Sequence, residues 1–147
     1  MATVMQTRTT AARPEAIWNI LDDFANISKY SKGVATSVPL NNIKSGVGAE
    51  RKCEFDAKGK QWVEERVTER TDTAMRIAIT KTNAPLKFAE GYMQVKPAGS
   101  GSQITMTFDM KAKGGPLAPV LEALLMKPSF NKAIKALLAD IDAAASP

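Results

Sequence analysis

The sequence predicts an α+β fold: a curved antiparallel sheet of about seven strands wrapped around a long C-terminal helix, with two short helices after the first strand. Three observations predict it. Alternation of apolar and polar residues with period two recurs between Val34 and Lys111. Helical spacing replaces it after Gly114-Gly115 and runs to Ile141. That last segment alone is long and apolar enough to cover the apolar face an antiparallel sheet must bury.

Thr3 to Thr10, rich in threonine with Val4, reads as the first strand. Pro14 then suits a first helical turn and Glu15 the positive helix end. Ile17, Ile20, Leu21 and Phe24 give this short helix an apolar face, and Asp22-Asp23 closes it. A second short helix or turn carries Phe24, Ile27 and Tyr30 and ends near Gly33. Strands follow at Val34–Val38, Glu50–Phe55, Gln61–Arg70, around Met75, Ile77 and Ile79, at Lys87–Val95, and around Ile104, Met106, Phe108 and Met110. Asn41-Asn42, Ser45 to Gly48, Asp56 to Gly59, Thr71 to Thr73 and Pro97 to Gly101 supply the turns. In the terminal helix Leu117, Val120, Leu121, Leu124 and Leu125 form one face, and Phe130, Ile134, Leu137, Leu138 and Ile141 continue it. Pro128 lacks an amide donor, so a kink or break is expected there.

A chain of 147 residues fits one domain, 1–147, with one core. Its 44% hydrophobic and 24% charged residues are those of an ordinary globular protein. The net charge of +5 is spread among acids, which predicts a solvated basic surface and no nucleic-acid partner, with contact to anionic lipid or nucleic acid as the rival reading. The first residues have no signal-peptide core, no stretch reaches the roughly 18 to 20 apolar residues of a membrane span, and Cys53 has no second cysteine to pair with. A cytoplasmic protein without stable membrane insertion is expected, as monomer or homodimer.

Much familiar chemistry is excluded. The chain has no histidine, which removes Ser-His-Asp and Cys-His catalysis and the usual zinc sites. Cys53 sits between Lys52 and Glu54, which offset each other, and reads as a small strand residue rather than a reactive thiol. Gly46-Val47-Gly48 lacks the third glycine of a dinucleotide fingerprint, and Gly59-Lys60 lacks the upstream glycine of a phosphate loop. No carboxylate cluster has calcium-loop spacing. No cofactor and no metal are expected.

Several stretches resemble a known family. Ala12 to Trp18, continuing to Leu21-Asp22-Asp23-Phe24, resembles the opening of the START-like, or SRPBCC, superfamily. Gly46-Val47-Gly48-Ala49-Glu50-Arg51 resembles its glycine turn and strand, and Glu65-Arg66-Val67 a later strand. The Pro97–Gly101 loop and the closing amphipathic helix also stand where the superfamily has them. The likeness spans nearly the whole chain and looks nearest to the bacterial polyketide cyclase/dehydrase-like and lipid-transport-like group. It implies a helix-grip fold with a deep cavity for a lipid, sterol, hormone, quinone or polyketide. Some members are enzymes and many are carriers. Several catalytic members rely on histidine, which this chain lacks.

The resemblance places Glu65 on one strand face with Val63 and Val67, turned inward. There it serves as a hydrogen-bonding group or acid/base toward a ligand, or as the ion-pair partner of an arginine such as Arg51. Tyr92 and Gln94 share a face with Phe88 and Glu90. The resemblance favours Tyr92 inward, whereas the alternate set Ala89, Gly91, Met93 and Val95 inward gives a narrower, greasier pocket. Ile77, Ile79, Met106 and Phe108 are sheet-face hydrophobes, with Leu121, Leu125 and Phe130 facing them from the helix, and Met110 and Met126 available as adaptable contacts. Tyr30 stands where it can gate the pocket. Trp18 packs the first short helix or lines the entrance. The expected function is binding or transport of a small hydrophobic molecule. The alternatives are a cyclase, aromatase or dehydratase with Glu65 as its catalytic acid/base, and a protein-interaction module.

Overall fold

The computed structural model describes all 147 residues. Seven strands form one antiparallel sheet in the order β1-β7-β6-β5-β4-β3-β2. They are β1 (Ala2–Thr10), β2 (Thr36–Pro39), β3 (Glu50–Glu54), β4 (Trp62–Arg70), β5 (Ala74–Thr82), β6 (Leu86–Ala98) and β7 (Gly101–Ala112). Helix α1 (Pro14–Leu21) and a 3-10 segment, Phe24–Lys29, fill the connection between β1 and β2. Every pair from β2 to β7 is a sequential neighbour, so only β1 and β7 join chain-distant segments.

Alternation fixes which face is buried. On β7, Ile104, Met106, Phe108 and Met110 are buried while Thr105, Thr107 and Asp109 are only partly so. On α1, Pro14 occupies the first turn, where no amide donor is needed, and Ile17, Trp18 and Leu21 are buried. Trp18 packs under Arg70, whose guanidinium lies 3.7 Å from the ring centre and also binds Asp22 through two 2.9 Å hydrogen bonds. Trp18 therefore serves as packing for α1. Bulges in β4 between Glu64 and Glu65 and between Val67 and Glu69 add local bending. Pro97 does not end β6: it pairs with Ser102 inside the strand. Its nitrogen faces the side where β5 has already ended, so no ladder bond is lost.

The terminal helical run comprises a 3-10 turn (Gly115–Leu117), α2 (Ala118–Leu121), a π-helical turn (Glu122–Met126) and α3 (Lys127–Ala145). Gly114 and Gly115 take φ of 128° and 53° at the bend out of β7, a region that disfavours side chains. The irregularity expected at Pro128 falls one turn earlier. Pro128 has no N–H for the Leu124 carbonyl and crowds it, and the widened π turn relieves that conflict.

The buried stripe also differs from expectation. Its members are Ala118, Glu122, Met126, Ile134, Leu138 and Ile141. Leu117, Val120, Leu124 and Leu125 are instead 53–70% exposed. Two apolar stripes lie side by side on this helix, and the sheet covers the other one.

Polar ties hold the run at both ends. The buried Glu122 carboxylate accepts the Ala112 amide at 2.9 Å, and that hydrogen bond holds its pKa below the usual glutamate range. Asp142 accepts hydrogen bonds from the Thr10 hydroxyl, from Arg8 Nε at 2.8 Å and from Ser146. Asp140 accepts the Lys32 amide at 2.9 Å.

Two tests follow from these ties. A side chain at Gly101 would overlap the Thr10 carbonyl, so Gly101→Ala should cost about 1–3 kcal/mol in urea unfolding. The Thr10 and Arg8 hydrogen bonds depress the Asp142 pKa. Its contribution is therefore complete above the ordinary aspartate value of about 3.9 and is lost as pH falls below it. Asp142→Asn should flatten that part of the stability–pH curve, and an unchanged curve would refute the assignment.

Candidate functional site

A cavity of about 650 Å³ lies between the concave sheet face and the terminal helical run. Of its 37 lining residues 26 are hydrophobic, so it favours an apolar occupant. The sheet contributes Val63, Ile77, Ile79, Gly91, Met93, Met106 and Phe108; the helical run contributes Leu121, Leu125, Met126, Phe130, Ile134 and Leu137. Leu21, Phe24, Ile27 and Tyr30 close one end. Phe130 stacks on Phe108 with ring centres 4.8 Å apart and planes at 21°, and so props the helix against the sheet.

Nine of the residues singled out from the sequence meet at this cavity: Tyr30, Glu65, Ile77, Ile79, Met106, Phe108, Leu121, Leu125 and Phe130. Leu125 does so from the rim, with most of its side chain exposed. Tyr92 and Gln94 do not line it, which corrects the inward orientation favoured for them. Gly91 stands opposite Phe108 in the β6–β7 register and faces inward: a Cβ there would lie 2.9 Å from Met106 Cε and 3.5 Å from Phe108 Cδ2. The pleat then turns Tyr92 outward, where Arg76 covers its ring at 4.3 Å and binds Glu90 at 2.6 Å. The narrower, greasier alternative is the one observed. Met110 is buried in the core without lining the cavity, whereas Met126 lines it.

A buried ion pair interrupts the apolar wall. Arg51, on β3, donates from Nε to Glu65 Oε1 at 2.8 Å and from Nη1 to the Phe24 carbonyl at 2.9 Å, while its guanidinium covers the Phe24 ring at 3.9 Å. Arg51 and Glu65 stand directly opposite in the β3–β4 register, so the two strands bring them together. Burial opposes the Arg51 charge, but the surrounding groups, Glu65 foremost with Cys53 and Tyr30, together outweigh it and raise the guanidinium pKa. Cys53 sits 3.7 Å from Glu65 Oε1, and burial, reinforced by that carboxylate, pushes its thiol up to about 12. Burial likewise raises the Tyr30 phenol to about 12. At neutral pH the wall therefore presents a thiol that is not nucleophilic and a phenol that stays protonated.

The arrangement can bind an apolar molecule and offer a polar group on its body a phenol donor beside a paired carboxylate and guanidinium. No cluster of three or more cysteine, aspartate or glutamate side chains is set to hold a metal. Sequence reasoning missed Trp62, Met75 and Leu137 as cavity lining; it placed Val63 inward beside Glu65, named Met93 only in the alternative inward set, and named Arg51 only as an ion-pair partner. Trp62 has the opposite parity and reaches the cavity near the strand end, which no periodicity marks.

Removing one partner of a buried pair strands the other. Arg51→Met should destabilise the fold by about 3–5 kcal/mol, and Arg51→Met/Glu65→Met should recover most of that loss. Denaturant unfolding of the two single variants and the double variant gives the coupling, and additive losses would refute it.

The comparisons with known proteins agree with this geometry. Among structures of similar fold is the crystal structure of TTHA0849 from Thermus thermophilus, with TM-score 0.80 and 18% identity over 98% of this chain and 97% of that one. The protein XoxI from Bacillus cereus gives 0.78 and 16%, over 99% and 96%. A START superfamily protein from Mycobacterium smegmatis gives 0.77 and 14%, over 97% and 96%. At these identities the likeness concerns the fold, which is the helix-grip fold of START-like proteins. No curated protein matches the chain. Residues 1–146 match the family described as polyketide cyclase / dehydrase and lipid transport, and the chain belongs to that family.

Proposed function

We propose that this protein binds and carries a small hydrophobic molecule, such as a lipid, isoprenoid or aromatic polyketide, without transforming it. The observation that carries the reading is the cavity itself: about 650 Å³, walled mostly by hydrophobic side chains, and left open between sheet and helix. Burying apolar ligand surface there gains roughly 25 cal/mol per Å² before the costs of association. Tyr30, with the Arg51–Glu65 pair, offers hydrogen bonds to a polar group on the occupant's body. A carrier role is favoured over catalysis because both carboxylates that line the cavity are already engaged, Glu65 by Arg51 and Asp140 by the Lys32 amide. The nearby thiol is held in its unreactive form.

The exposed Leu117, Val120, Leu124 and Leu125 favour a second reading, a protein-interaction module that uses this helix face. The two readings separate on occupancy: a carrier retains small molecules, whereas an interaction module need not.

A thermal-shift screen of fatty acids, sterols, flavonoids and quinones, with native mass spectrometry of the purified protein, tests the carrier. A ligand at 100 times its Kd stabilises the fold by about 2.7 kcal/mol. For a chain of this size that is a Tm rise of roughly 5–10 °C. Gly91→Leu fills the space over Met106 and Phe108 and should abolish the rise while leaving the protein folded. An equal rise in the filled variant, or no shift with any class and no co-purified molecule, would refute the proposal.

A further inference from the structure

The sheet is incomplete beside the main cavity. β5 and β6 pair from Ala74 opposite Gln94 to Ala78 opposite Glu90, and no further. Both strands nevertheless continue, β5 to Thr82 and β6 back to Leu86. Each end is held by its other neighbour: Thr82 pairs with Val63 on β4, and Leu86 with Ala112 on β7. The register shift between Leu86 and Phe88 lies at the same place. The two strands therefore splay, and a second pocket of about 270 Å³ occupies the split. Ile79, Thr82 and Leu86 line both this pocket and the main cavity.

The charge around the split has one sign. Lys81, Lys87 and Lys113 are among its nine lining residues, and no acid is. All three are exposed, and none takes part in any of the six ion pairs of the structure. Glu64 stands opposite Lys81 in the register without pairing to it. By contrast, Arg8, Arg51, Arg66, Arg70 and Arg76 each have a carboxylate partner. Three cations around a concavity, without a counter-charge in it, favour an anion there. The splayed strands add backbone that no neighbouring strand pairs with.

We propose that the split between β5 and β6 is an anion-binding subsite. It takes the carboxylate, sulfonate or phosphate end of an amphiphile whose apolar body lies in the main cavity. This inference rests on the cavity being a ligand site, and it adds that the ligand is anionic at the end opposed to Lys81, Lys87 and Lys113.

The test uses two fluorescent probes with the same aromatic body: 1-anilinonaphthalene-8-sulfonate, which is anionic, and N-phenyl-1-naphthylamine, which is neutral. Titration of the wild-type protein should show tighter binding of the sulfonate. Lys81→Gln/Lys87→Gln/Lys113→Gln should weaken the sulfonate about tenfold, the combined effect of three solvent-exposed charge contacts, and leave the neutral probe within about twofold. Lys29→Gln/Lys44→Gln/Lys96→Gln removes the same net charge elsewhere and should leave both affinities unchanged. A sulfonate-to-neutral ratio that is the same in wild type and the first triple variant overturns the subsite alone. So does an equal loss in the second triple variant. Failure of both probes to bind wild-type protein overturns the cavity reading, and the subsite with it.

Discussion

The rest of the structure depends on a helix held at its ends and propped in its middle. Glu122 fixes one end to β7 through the Ala112 amide, and Asp142 fixes the other to β1 through Thr10 and Arg8. Between them Phe130 rests on Phe108. A sheet that curves away from a helix so constrained cannot close onto it, and away from the Phe108–Phe130 stack the side chains on the two faces leave a cavity of about 650 Å³. Close-packed interiors are the norm, and atoms lining a void forfeit dispersion contacts on one side. The fold accepts that cost, and any molecule that filled the cavity would restore the missing contacts.

The Arg51–Glu65 pair is the second constraint. Two charges side by side in a wall of hydrophobes are costly unless mutually satisfied, and Arg51 is further satisfied by the Phe24 carbonyl and ring. The pair links β3 and β4 to the segment after α1, so the closed end of the cavity is set by electrostatics as much as by packing. Its net neutrality also keeps the cavity receptive to apolar matter. The lysines at the β5–β6 split, by contrast, have no such neutralising partners.

How much of this was legible in the sequence depended on how unequal the two faces of each element were. On β7, Met106 and Phe108 alternate with threonines, and the buried face could be read directly. On β6 one face carries Phe88, Glu90, Tyr92 and Gln94 and the other Ala89, Gly91, Met93 and Val95. Each mixes bulk with polarity or smallness, and only the pairing of Gly91 with Phe108 decides between them. The terminal helix offered two adjacent apolar stripes, and Leu124 and Leu125 drew attention from the true line through Ala118, Glu122 and Met126. A buried glutamate in that line reads as a surface residue until Ala112 is seen to bind it. Glu65 beside Arg51 was visible as one of two roles because the family resemblance implied an inward orientation for it. The split between β5 and β6 left no periodic trace, since it arises from the absence of pairing.

The two tryptophans occupy unlike environments. Trp62 lines the cavity with Lys52 4.8 Å from its ring centre, whereas Trp18 lies under Arg70 away from the cavity, its Nε1 buried without an acceptor. Indole emission is sensitive to local polarity and to nearby charge. The molecule thus carries an intrinsic optical gauge of occupancy and, in Trp18 outside the cavity lining, a built-in reference against which to read it.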